Sequence, residues 1–160
     1  MTRFLGALTA LLLATAAYAH EFKAGDLEII HPNIPAPAAT ARTAAGYLSV
    51  KNNGSAPDTL IGITADFAKM STLHESRVDA NGMATMSGMK TLEIPAGSMV
   101  SFASGSLHIM FMGLKKPLAE GAMLPATLKF RNAGDVAIEF KVEPTGKAEH
   151  HSAHAGDPTN

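Results

Sequence analysis

Two histidines and several methionines in this 160-residue sequence have the spacing of a soft-metal site. The stretch SLHIMFMGLKKP covers residues 106–117, and a period of two divides its start into two faces of a strand. One face is apolar and comprises Leu107, Ile109 and Phe111. The other face, where a soluble protein usually places polar side chains, comprises His108, Met110 and Met112. Since alternate residues of a strand lie about 7 Å apart, His108 and Met110 can reach one ion.

Further donors lie upstream, in STLHESRV and GMATMSGM. His74 alternates with Leu73 and therefore points away from the apolar row. The second stretch has methionines at every third position, and we expect it to form a glycine-rich loop. Thioether sulfur favours Cu(I), whereas imidazole binds both copper oxidation states and zinc. Two histidines with two methionines therefore suit Cu(I) better than magnesium, calcium or hard iron.

The composition excludes several other kinds of chemistry. The chain contains no cysteine, which rules out disulfides, thiolate metal sites, a cysteine nucleophile and the blue-copper type of electron-transfer site. A formal net charge of −1 provides no basic patch for nucleic acid or anionic lipid. The sequence also lacks the glycine-serine elbow, the phosphate-binding glycine loop and the His-Glu-x-x-His motif. We therefore expect no catalytic residues and no enzyme activity.

The first nineteen residues have the pattern of a secretory signal peptide. Arg3 precedes an apolar run from Phe4 to Ala17 that is too short to span a bilayer, and Ala17-Tyr18-Ala19 is a small-x-small cleavage signal. We expect cleavage to leave His20 at the mature N-terminus, with no membrane span and a periplasmic location. Methionine suits such an oxidising compartment because it forms no disulfides, although it can still be oxidised to sulfoxide.

Short apolar runs separated by turns indicate an all-β domain over residues 20–143. The predicted strands are Leu27–His31, Gly46–Asn53, Asp58–Ile63, Met70–Val78, Leu92–Pro95, Met99–Ala103, the strand beginning at Leu107, Leu124–Arg131 and Val136–Val142. We expect a surface loop over residues 32–45 and a hairpin joining the second and third of these strands. The order favours an antiparallel Greek-key sandwich or barrel. Residues 144–160 contain no large apolar side chain and are predicted to be a disordered tail.

The spacing of the donors resembles that of the PCu(A)C-type periplasmic copper chaperones. Eleven residues separate His74 from Met86, and twenty-one separate Met86 from the His108-x-Met110 pair. The flanking stretches GYLSVKNNGSAPDTL, LEIPAGSMV and HIMFMGLKKPLAEGAMLPATLKF are also similar to that family. The first spacing is one residue longer than is usual in the family, and no tryptophan follows His31-Pro32.

The resemblance implies a cupredoxin-like barrel that binds Cu(I) through His74, Met86, His108 and Met110. It also implies that the protein passes the ion to the dinuclear copper centre of cytochrome c oxidase, alongside a Sco-type thiol protein. Met83 and Met89 remain alternatives to Met86. We expect Met70, Met99 and Met123 to fill the core, since methionine packs well into irregular gaps.

Other histidines could form a second site that binds Cu(II). His20 would present an α-amine and an imidazole together, and His150, His151 and His154 lie in the tail. The main alternative function is a copper enzyme that uses these histidines for oxygen chemistry. A further alternative is an adhesion-like β-sandwich without a metal.

Overall fold

The computed structural model describes residues 21–145, which form eleven β-strands and no helix. The strands are β1 Glu21–Ala24, β2 Leu27–Pro35, β3 Thr43–Asn52, β4 Asp58–Ala65, β5 Met70–Val78, β6 Ala84–Met89, β7 Leu92–Ile94, β8 Met99–Ser101, β9 Leu107–Met112, β10 Met123–Phe130 and β11 Gly134–Glu143. The predicted signal peptide and most of the predicted tail lie outside the described residues. In the described part of the chain, no helix is long and apolar enough to cross a membrane.

The strands form a barrel-like sheet in the order β6-β5-β9-β3-β2-β11-β10-β4-β7. In addition, β1 pairs with β2 and β8 pairs with β3. All pairings are antiparallel except that of β11 with β2. This architecture confirms the predicted all-β, cupredoxin-like fold class.

The core lies between the two sides of the barrel. Phe111 of β9 and Phe140 of β11 are fully buried, and their rings meet edge to face at 5.3 Å between centroids. Phe67 also packs against Phe111, at 4.7 Å between ring centroids. These contacts join the side formed by β3, β9, β5 and β6 to the rest of the sheet. The apolar face predicted for residues 107–112 therefore points into the core, with Ile109 and Phe111 fully buried.

The hairpin predicted between the strands around residues 46–63 is wrong. Strand β3 pairs with β2, β8 and β9, whereas β4 pairs with β10 and β7. After β3, the buried side chain of Asn52 holds the connection in place: its amide donates hydrogen bonds to the carbonyls of Ala56 at 2.9 Å and Ile94 at 3.1 Å. The turn residues between β3 and β4 do not show that the two strands pair with different neighbours.

The proline-rich loop is also shorter than predicted. Strand β2 continues to Pro35 and β3 begins at Thr43, so the connection covers residues 36–42. The strand passes Pro32 by means of a register shift between Ile30 and Asn33, where His31 has a positive φ of 50°. Such an irregularity is where a sheet tolerates proline.

Candidate metal centre

The two predicted histidine ligands lie directly opposite each other on neighbouring strands. His74 of β5 pairs in register with His108 of β9, so their side chains share one face of the sheet. Their ring centroids are 5.7 Å apart, with an angle of 40° between the rings. The two histidines are therefore adjacent although thirty-three residues separate them in the chain.

One ring nitrogen of His108 is hydrogen-bonded to the backbone. Nδ1 lies 3.1 Å from the carbonyl oxygen of Ser106. A carbonyl can only accept a hydrogen bond, so Nδ1 carries the hydrogen and donates it. In the neutral ring, the lone pair is then on Nε2. This is how a second hydrogen bond selects the coordinating nitrogen of a metal-binding histidine.

The ring of His74 has the opposite arrangement. Nε2 is hydrogen-bonded to Oγ1 of Thr72 at 2.9 Å, whereas Nδ1 is buried and has no hydrogen-bond partner among the described residues. A buried polar atom without a partner costs about 1–3 kcal/mol. An ion bound to Nδ1 would remove this cost, with the Nε2 hydrogen donated to Thr72.

Met110 adds a thioether next to the histidine pair. It is two residues beyond His108 on β9 and lies opposite Thr72 on β5, so it occupies the same face. Its side chain is half-buried. Thr72 therefore borders both His74 and Met110, a role that the sequence analysis did not assign.

The methionine-rich segment forms strand β6 rather than the predicted glycine-rich loop. It pairs with β5 and is therefore extended. Met86 lies opposite Ser76, which places it on the face of His74, whereas Met89 lies opposite Leu73 and packs against the core. Met83 precedes the strand and closes the hairpin turn: its carbonyl accepts from the backbone N–H of Asp79, and its own N–H donates to Oδ1 of Asp79. Alternation thus favours Met86 among the three methionines.

The candidate site is enclosed on one side and open on the other. His108 is only 5% exposed, although its face was expected to contact solvent. Met86 is 54% exposed. Gly88 lies directly opposite His74, and a Cβ built on it would meet no atom within 4 Å. The ring of His74 therefore borders open space on the β6 side, so an incoming donor has a route to the site.

The donor chemistry is that of a soft-metal site. Within residues 21–145, no group of three or more histidine, cysteine, aspartate or glutamate side chains could hold a metal ion. Two imidazoles and neighbouring thioethers on one face suit a monovalent, polarisable ion. Glu75 lies opposite Leu107, on the other face from His74, and forms an ion pair with Arg77 at 3.0 Å.

Two of the three methionines expected in the core are exposed. Met70 is 53% exposed and Met99 is 55% exposed, because each begins a strand at the rim of the barrel, while Met123 is half-buried. His31 is exposed and lies 3.4 Å from a carboxylate oxygen of Glu143. His20, His150, His151 and His154 lie outside the described residues, and so does any Cu(II) site that they form.

A family model described as "Putative lipoprotein LpqE-like" matches residues 27–142. The chain belongs to this family. The LpqE-like chain is 38% identical over 107 residues to "Putative lipoprotein Lxx21020" of Leifsonia xyli subsp. xyli (strain CTCB07). That match covers 66% of this chain and 64% of the relative, so it spans slightly less than two thirds of the relative's length.

Solved structures of PCuAC domains have the same fold as this LpqE-like chain. The copper-bound PCuAC domain from PmoF2 gives a TM-score of 0.67 at 28% identity and covers 78% of this chain and 98% of that domain. The apo PCuAC domain from PmoF1 gives 0.67 at 26% identity, with 78% and 99% covered. The solution structure of CuI-DR1885 from Deinococcus radiodurans gives 0.58 at 26% identity, with 79% and 83% covered. The resemblance to PCu(A)C-type proteins is confirmed.

Proposed function

We propose that this protein carries Cu(I) and that His74, Met86, His108 and Met110 hold the ion. The observation that carries the proposal is the pair of opposed imidazoles at 5.7 Å between ring centroids, each with one nitrogen hydrogen-bonded to the residue two positions earlier. The second ring nitrogens of the two histidines and the two thioethers on the same face would form a neutral, soft donor set. Such a set favours Cu(I) over divalent or harder ions.

The uneven burial of the site supports a carrier rather than a resident metal centre. His108 is buried and His74 is half-buried, whereas Met86 lies on the exposed strand β6. Transfer by ligand exchange requires an incoming donor to reach the ion before all of the original donors have left. We infer that Met86 is the first ligand to be exchanged. The similarity to the copper-bound PCuAC domain of PmoF2 and to CuI-DR1885 supports copper as the cargo.

We propose that the protein works in the cell envelope and is not an enzyme. The lipoprotein descriptions of its relatives support export, and the similarity to a copper-bound PCuAC domain and to lipoproteins supports a role other than catalysis. The periplasm is the compartment that the predicted signal peptide favours. The proposed recipient is the dinuclear copper centre of cytochrome c oxidase, with a Sco-type thiol protein as a second partner.

An anaerobic Cu(I) competition titration tests the carrier proposal. The unaltered chain should bind one Cu(I) tightly, and Met110→Leu should weaken this binding by roughly tenfold or more, since one of four donors is lost. Leucine keeps the apolar volume of methionine but cannot ligate. Met99→Leu is the matched control, because Met99 is a strand methionine on β8, which pairs with β3 and not with β5 or β6.

Removal of residues 146–160 separates this site from any site in the tail. The tight Cu(I) equivalent should persist without the tail histidines. If Met110→Leu bound Cu(I) as tightly as the unaltered chain, the proposed ligand set would be wrong. If tight binding disappeared with the tail instead, the ion would belong to the tail histidines and the barrel would not be the carrier site.

A further inference from the structure

We propose that Met70 and Met112 form a second, weaker site for a soft monovalent cation, next to the histidine pair. Met70, the first residue of β5, lies directly opposite Met112, the last residue of β9. Their Cβ atoms are expected to be about 5 Å apart, as in other directly opposed pairs of an antiparallel sheet. Rotation about the Cα–Cβ and Cβ–Cγ bonds moves each sulfur, so both sulfur atoms can reach a single ion.

The register positions that adjoin this methionine pair hold no charged side chain, although Lys69, which precedes Met70 in the chain, extends its aliphatic stem over Gly113. Across β3, β9 and β5, one row of residues contains the methionine pair, and the next row contains Met110. The first row is Thr43, Met112 and Met70, and the second is Ala45, Met110 and Thr72. These side chains are neutral, and those on β3 are small. Neutral sulfur donors do not compensate a double charge, so they favour Cu(I) or Ag(I) over Cu²⁺ or Zn²⁺.

The exposure of Met70 indicates that its side chain contributes little to packing. Its side chain is 53% exposed, and the next three outward residues of β5, Thr72, His74 and Ser76, are polar. Burial of apolar surface is the usual reason for placing methionine in a strand, and here it accounts for little. Metal binding gives a thioether at this position a specific use.

Met110 links the two sites. It lies between His108 and Met112 on the same face of β9, about 7 Å along the strand from each. Its sulfur can therefore rotate toward either the histidine pair or the methionine pair. A cation bound at Met70 and Met112 could then move to His74 and His108 without leaving the protein. This step rests on the proposed carrier function, whereas the second site itself does not.

The test is an Ag(I) titration of the chain labelled with ¹³C at the methionine methyl groups. Ag(I) is soft and monovalent like Cu(I), and it does not change oxidation state under these conditions. The Met86 and Met110 signals should shift first. The Met70 and Met112 signals should shift in a second phase, at about tenfold higher free Ag(I) or more, since two donors bind more weakly than four. The methyl signals report the thioethers alone, so binding by the tail histidines does not interfere.

Leucine variants identify the residues that form the second phase. Met70→Leu and Met112→Leu should each abolish that phase and leave the midpoint of the first unchanged within about twofold. Met99→Leu should change neither phase. The second site is overturned if the Met70 and Met112 signals stay fixed throughout the titration, or if Met70→Leu retains the second phase. The carrier proposal fails separately if the Met86 and Met110 signals do not shift.

Discussion

At the scale of single residues, the hydrogen bonds of the two histidines determine which ring nitrogen is left for a metal ion. His108 donates from Nδ1 to the backbone, and His74 uses Nε2 for Thr72, so the two rings offer different nitrogens to the same region. A sequence shows that two histidines alternate with apolar residues. It cannot show which nitrogen is free, because that depends on partners within two residues whose geometry is set by the strand.

Asp58 is the residue whose charge the fold stabilises most clearly. Its oxygens accept backbone hydrogen bonds from Thr59 at 2.6 Å, Asn132 at 2.9 Å and Ala133 at 2.9 Å. Burial acts to raise the pKa of this carboxyl, but the hydrogen bonds outweigh burial and lower the pKa below its ordinary value of 3.8. The unfolded chain therefore takes up this proton more readily than the folded protein does. The charge stabilises the fold fully above pH 3.8, and this contribution is lost as the pH falls through the lowered pKa.

We predict that Asp58→Asn lowers the free energy of unfolding at neutral pH by about 1–3 kcal/mol, because an amide NH₂ would face a backbone N–H. The difference in free energy of unfolding between the variant and the unaltered chain should become smaller as the pH falls below 3.8. Urea unfolding at several pH values measures both effects. Asp66→Asn, at an exposed carboxylate, is the control and should change little. A gap that stayed constant down to acid pH would show that the charge of Asp58 does not stabilise the fold.

At the scale of elements, the β5–β6 hairpin determines the open side of the candidate site. Each β6 residue before Met89 is exposed, and Gly88 leaves the space beside His74 unfilled. We predict that Gly88→Val weakens Cu(I) binding by roughly tenfold or more while leaving the fold intact, because the new side chain would stand on the donor face. Valine favours a strand more than glycine does, so thermal stability should not fall.

Ser87→Val is the matched control for this prediction. It adds the same side chain to the same strand, but residue 87 lies opposite Glu75 and faces away from His74. Cu(I) competition and a thermal melt of both variants separate an effect on binding from an effect on folding. Equal Cu(I) affinity in the two variants would show that the open space beside His74 is not used.

The elements also show what sequence reasoning could reach. The bounds of β5, Met70–Val78, were predicted correctly because the strand has a regular alternation and a clear turn after it. Strand β6 was mistaken for a loop because its glycine and serine residues hide the alternation, and its pairing with β5 alone makes it extended. Likewise, the partner of β3 depends on contacts across the barrel, which no local turn signal specifies.

For the candidate site, spacing and family resemblance selected four donors, but their common face is a property of the pairing. The register of β5 with β9 brings His74 to His108, and that of β5 with β6 brings Met86 to the same face. The use of Met70 was missed, because an isolated methionine in a sequence is most simply interpreted as core. Its 53% exposure can be seen only in the folded structure, where β5 pairs with β9.

At the scale of the whole molecule, β3 joins the side that carries the donors to the rest of the barrel. It pairs with β9 up to Gly46 and with β8 from Ser49 onward. At Gly46, the rings of Phe111 and Phe140 approach the backbone so closely that an added Cβ would lie 2.7 Å and 3.1 Å from them. Packing therefore requires glycine at this position. The contact between the same two rings joins β9, which carries His108, to β11.

We predict that Gly46→Ala lowers the free energy of unfolding by about 1–3 kcal/mol, because the core is overpacked by one methyl group. Gly88→Ala is the matched control: it adds the same methyl group to a strand glycine where no atom lies within 4 Å, and it should be neutral or slightly stabilising. Urea unfolding of both variants measures the difference. Phe111 belongs to β9 and packs this strand into the core. Gly46→Ala should therefore also weaken Cu(I) binding, although residue 46 is not a donor. Unchanged stability in Gly46→Ala would mean that the Phe111 and Phe140 rings can move aside, and the packing account of how β9 is held would then be wrong.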